Sequence, residues 1–63
     1  MAEKIELKVG QVWVDPVSPE ITREICRIYV SDVHYMRSDG SQGLCFDSTF
    51  RAWIRRQNAR VQP

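Results

Sequence analysis

The chain has 63 residues, of which 43% are hydrophobic, and nine basic residues against eight acidic ones leave it with a net charge of +1. That length holds one domain, read here as residues 1–63 with an ordered core over about residues 8–58. A domain this small buries only about 60% of the surface its unfolded chain exposes, so a closed sheet, a capping helix or a second copy is needed to stabilise it.

No apolar run approaches the roughly 20 residues of a membrane helix. The first residues, MAEKIELK, lack the apolar centre of a secretory signal. No membrane is therefore expected, and the cytoplasm is the default location.

Residues 8–14, KVGQVWV, read as a first strand. Val12 and Val14 fall on one face and Trp13 on the other, and Gly10 can supply the bend into the strand. DPVSPE, residues 15–20, has two prolines and must be an extended loop, since proline offers no amide donor to a sheet. Residues 22–30, TREICRIYV, form a second strand by their β-branched and aromatic content. Strict alternation would separate Ile25 from Ile28, and a bulge near Cys26 and Arg27 restores them to one side. Helical spacing of Ile25, Ile28 and Tyr29 is the rival reading.

Ser31-Asp32 predicts a tight reversal, followed by a third strand over residues 33–37, in which Val33, Tyr35 and Arg37 alternate with His34 and Met36. SDGSQG, residues 38–43, is a glycine turn, and Leu44, Cys45 and Phe46 make a short fourth strand. Phe50, Trp53 and Ile54 then stand at helical spacing, with Asp47, Ser48 or Thr49 available as the N-cap. Arg55 and Arg56 suit the negative end of that helix, Asn58 is a plausible stop, and Val61 can add a last contact. The two cysteines lie in apolar runs and read as reduced, buried small hydrophobes, with a strand-stapling disulfide as the alternative.

These elements predict a mainly β fold, a small antiparallel barrel of four to five short strands with a short C-terminal helix. The layout resembles small SH3-like barrels. Gly10-Gln11-Val12-Trp13, an arginine-bearing strand with Ile25 and Ile28, Val33 with Tyr35, a glycine turn, and Phe50 with Trp53 carry the resemblance. It is nearest in style to the short SH3-like, KOW- or Tudor-like proteins of bacteriophages and prophages, and spans roughly residues 8–56. The resemblance implies a binding module and transfers no catalytic residue.

Enzyme chemistry has little to stand on. His34 is the sole histidine, and no spacing joins it to a nucleophile and an orienting acid. Cys26, Cys45 and His34 are isolated where a zinc site needs about four ligands in paired spacings. No metal and no cofactor is expected, and residues 39–43 lack the Lys-Ser/Thr of a phosphate loop.

The clearest charge signal is asymmetry. Residues 1–47 hold all eight acids and five basic residues, whereas residues 48–63 hold four arginines and no acid. In one reading Phe50, Trp53 and Ile54 plug the sheet and the arginines face water, supported by acids such as Asp32 or Asp47. In the other the arginines bind. The candidate patch is Arg51, Arg55, Arg56 and Arg60, extended by the strand residues Arg27 and Arg37, with Arg23 beside them. A nucleic acid could meet guanidiniums flanked by Tyr29, Tyr35 or Trp13, although Trp13 is expected in the core. A protein partner, from a host or a second copy in a homodimer, could dock on the divided charge, the loop at residues 15–20 and the edge of the fourth strand. Near-neutral net charge favours a protein-interaction or inhibitor role over nucleic-acid binding.

Overall fold

The computed structural model describes residues 5–62. The described residues form five strands, β1 (Val12–Val14), β2 (Thr22–Tyr29), β3 (Asp32–Arg37), β4 (Gln42–Phe46) and β5 (Arg60–Val61), and one helix, α1 (Asp47–Gln57), which lies between β4 and β5 in the chain. All pairings are antiparallel and the strands lie in the order β4-β3-β2-β1-β5, so β4 and β5 are the two ends of one sheet. Residues 22–29 are strand, which excludes the helical reading of Ile25, Ile28 and Tyr29.

Alternation assigns the faces. Val33 and Tyr35 on β3 are buried while Asp32, His34 and Met36 point the other way. Ile25 pairs with Tyr35 and Ile28 with Val33, and the register shifts between Ile25 and Arg27. The bulge thus absorbs one residue and returns Ile28 to the inner face, where it packs against the core. Trp13 pairs with Arg23 and is buried, with Val12 and Val14 on the opposite side.

Helix α1 lies on this inner face and buries Phe50, Trp53 and Ile54. Ile25, Val33 and Phe50 are 0% exposed and form the centre of the core. Tyr35 meets Phe50 edge-on at 5.5 Å, and Phe50 meets Trp53 edge-on at 5.6 Å. Ile5, Leu7 and Cys45 pack around this cluster, and Ala59 is buried in it.

Three local features differ from the sequence reading. The β2–β3 reversal is Val30-Ser31, one residue earlier than Ser31-Asp32, because Tyr29 already pairs with Asp32. Val30 accordingly carries φ 56°, a left-handed value rare for a β-branched residue. Strand β4 begins at Gln42, so Gln42 and Gly43 pair with Met36 and Tyr35 instead of ending the turn. The helix N-cap is Phe46 without a side-chain cap; Asp47 is the first helical residue and accepts from the Ser48 amide at 2.7 Å. At the other end Asn58 is the left-handed C-cap, with φ 56°.

Asp15 is buried and organises the proline loop. Its Oδ1 accepts from the amides of Val17 at 2.9 Å and Ser18 at 3.4 Å.

Gly43 sits beneath the Tyr35 ring, and a Cβ there would lie 2.6 Å from both Cε2 and Oη of that ring. Phe50 leaves the ring no retreat, so Gly43→Ala is expected to destabilise the fold by about 1–3 kcal/mol, read from the urea midpoint. An unchanged midpoint would mean that Tyr35 is not held there. Val30→Gly removes the left-handed penalty at an exposed turn and is expected to raise stability by about 1 kcal/mol in the same assay. A lower midpoint would contradict the strain assigned to Val30.

Candidate functional site

The six arginines of the sequence-defined patch do not form one surface. At about 100° per residue, Arg51 and Arg55 fall on one flank of the buried stripe of α1 and Arg56 on the other. Arg51 is committed to structure: it pairs with Asp47 at 3.3 Å, and its Nε donates to the Ile5 carbonyl at 3.0 Å. Arg55 borders an open groove of about 550 Å³ that Ile5, Gln11, Trp13 and Ala59 also line. Arg60 is exposed on β5 opposite Val14. Arg27 lies on the outer face of the sheet, paired with His34 and 5.5 Å from the Tyr29 ring centroid.

The remaining two, Arg37 and Arg56, gather around Arg23. Arg23 and Arg37 are direct cross-strand partners on the inner face. Both approach the Tyr35 ring, with guanidinium carbons 4.8 and 5.2 Å from its centroid. Arg23 also lies 4.2 Å from the Trp53 centroid and 5.9 Å from that of Phe50. Arg56 follows Trp53 by three residues, which places it on the adjoining turn of the same helix flank.

Arg37 is anchored by bonds from Nη1 to the Ser41 hydroxyl and the Gln42 carbonyl, and from Nη2 to the Tyr35 hydroxyl. Arg23 makes no side-chain hydrogen bond among the described residues, and none of its nitrogens is both buried and unpartnered. Its pKa is held below the ordinary arginine value, first by burial and then, against the pull of Tyr35 and Cys45, by Arg37 and Arg56. It stays charged at any ordinary pH.

The outer face has a different character. Tyr29, Val30, Met36, Leu44 and Phe46 are exposed apolar residues of β2, β3, β4 and the β2–β3 turn, and Leu44 and Phe46 are each about 60% exposed. Strand β4 is a sheet edge. The Arg37 amide donates to the Ser41 carbonyl and the Asp47 amide to the Ser31 carbonyl, which fixes the hydrogen-bonded register. Residues 43 and 45 therefore bond inward to β3, and the amides of Gln42, Leu44 and Phe46 point outward from the edge.

The cysteines divide between these faces. Cys26 is exposed at the bulge, which corrects its reading as a buried hydrophobe, and Cys45 is partly buried on the inner face. Both are free thiols. Strand β3 lies between them, so their separation of about two strand spacings exceeds the reach of a disulfide. No group of three or more His, Cys, Asp or Glu side chains converges among the described residues. No helix among them is long and apolar enough to cross a membrane.

The proximity of Arg23 to Trp53 could not be read from spacing, because it joins β2 to α1 across 30 positions of the sequence. No family model, no curated protein and no solved structure matches this chain.

Burial raises the Cys45 thiol pKa, and Arg23 opposes that shift only in part. At about pH 8, where an ordinary thiol is partly ionised, iodoacetamide is expected to modify Cys26 well before Cys45. Mass mapping of the labelled cysteines checks this, and equal rates would contradict the burial of Cys45.

Proposed function

We propose that this chain is a small, non-enzymatic protein-interaction module whose contact surface is the outer face of the sheet and the free edge of β4. The observation that carries the proposal is the coincidence at β4 of two unmet needs. Leu44 and Phe46 expose large apolar side chains, and their backbone amides point outward from the same strand. Water satisfies the amides but not the side chains. An added strand from a partner satisfies the amides and covers the side chains together.

The SH3-like reading fits this role. The order β4-β3-β2-β1-β5, with α1 between β4 and β5 in the chain and packed on the inner face of the sheet, supports the SH3-like reading. A cytoplasmic phage or prophage protein acting on a host protein, or pairing with its own copy, is the setting we infer from that resemblance.

Nucleic-acid binding has less support. Trp13, Tyr35, Phe50 and Trp53 are buried and offer no face to a base. Arg27 with Tyr29 is the exposed cation–ring pair of the outer face, and Arg56 stands on the helix beyond the other face.

Leu44→Lys adds charge at an exposed edge position without touching the core, so the fold is expected to survive. Sedimentation equilibrium and pull-down from bacterial lysate then compare it with the wild type. The expected outcome is a self-associated species, or a captured protein, that Leu44→Lys loses and Arg56→Gln keeps. A strictly monomeric wild type that captures nothing, or capture indifferent to Leu44→Lys, would overturn the proposal. Salt-dependent binding to mixed DNA and RNA would favour the alternative.

A further inference from the structure

We propose that Arg23, Arg37 and Arg56 form a binding site for a doubly charged tetrahedral oxyanion, a phosphate or phosphomonoester, between the β3–β4 turn and the last turn of α1. The site lies off the β4 edge and does not depend on the interaction surface above.

Like charges placed directly opposite on neighbouring strands are destabilising. The pair Arg23–Arg37 has that arrangement, and no carboxylate forms an ion pair with either residue or with Arg56 among the described residues. The acids that form ion pairs are elsewhere: Asp47 with Arg51 and Glu6 with Lys8. A position that only covered the aromatic cluster would be filled at less cost by an uncharged side chain. Two opposed guanidiniums instead present donors in fixed planes, the arrangement that suits oxyanion recognition.

The site is also largely built before a ligand arrives. Arg37 is fixed by its three hydrogen bonds to Ser41, Gln42 and Tyr35. Arg23 is fixed by stacking, 4.2 Å from Trp53 and 4.8 Å from Tyr35, while its donors remain unused among the described residues. For these two residues little side-chain entropy is left to lose on binding. Arg56 is exposed on the last turn of α1 and can swing onto the ligand.

The ligand class follows from the layout of charge. Two facing cations with a third on the adjoining helix turn match a compact dianion better than a single carboxylate. A nucleic-acid backbone needs a track of cations, and this cluster has no continuation: Arg27 is on the outer face, Arg60 is on β5, and Arg51 is neutralised by Asp47.

The test titrates potassium phosphate, phosphoserine and a short single-stranded oligonucleotide separately into the full chain. Ionic strength is held constant with chloride, and the arginine Nε–Hε and tryptophan indole resonances are followed. Expected is a saturable shift of the Arg23 Nε–Hε and Trp53 indole signals with phosphate, phosphoserine or both, the stronger arm identifying the source. Arg56→Gln, at an exposed position that leaves the fold intact, should weaken that binding about tenfold, the loss of one charge-assisted hydrogen bond. Arg27→Gln should leave it unchanged. A non-saturating response to both phosphates, equal effects of Arg56→Gln and Arg27→Gln, or tighter binding of the oligonucleotide than of either phosphate would overturn the proposal.

Discussion

The edge-to-face sequence Tyr35–Phe50–Trp53 is the contact on which the rest of the structure depends. A single sheet of five strands cannot bury both faces, and the described residues supply one short helix to cover one of them. Phe50 makes that cover effective: it is fully buried, and it touches a ring from the sheet on one side and a ring from its own helix on the other. Each such aromatic pair contributes about 0.5–1.5 kcal/mol beyond the area it buries, a large share of what a small domain has in total. Gly43 belongs to the same arrangement, because the Tyr35 ring meets Phe50 only by lying where a Cβ at position 43 would stand.

The cover ends at Arg23. At that margin the aromatic cluster is closed by a guanidinium, whose pKa is lowered first by burial and then by the neighbouring cations Arg37 and Arg56. Cation–π contact offsets part of the cost of desolvating Arg23, by about 0.5–2 kcal/mol per favourable ring. It does nothing for the repulsion between Arg23 and Arg37. The core is therefore satisfied in its apolar contacts and left with an unbalanced charge at one end, while the uncovered outer face is left with unbalanced apolar area. The two surfaces with unmet chemistry are both consequences of how far one helix can reach.

Much of the fold was legible because it depends on neighbours in sequence. The strand at residues 22–29, the bulge at Cys26 and Arg27, the stripe of Phe50, Trp53 and Ile54, and the Asn58 stop all follow from periodicity and local conformational preference. The errors fall where tertiary pairing decides. Val30 is a poor residue for a left-handed turn position, and no propensity would place it there; the pairing of Tyr29 with Asp32 does. Gly43 reads as a turn residue until Tyr35 is seen lying over it. The helix start lacks the side-chain cap that Asp47, Ser48 and Thr49 offered, because β4 runs directly into α1 and leaves Phe46 at the cap position. The arginine cluster was legible only as composition.

The bulge also explains why composition misled about the arginines. Arg23, Arg27 and Ile25 are separated by even numbers of residues, so an unbroken β2 would carry all three on one face. One unpaired residue between Ile25 and Arg27 reverses that parity. Ile28 then joins the core in place of Arg27, and Arg27 moves to the outer face beside Tyr29. The insertion that completes the apolar core is thus the same one that divides the basic residues of β2. It leaves Arg23 to the inner cluster with Arg37 and Arg56, and it keeps that cluster compact instead of letting it spread into a stripe along the strand. The register shift at Cys26 thereby gathers the inner arginines at a single point, the layout that suits a small anion over a chain of phosphates.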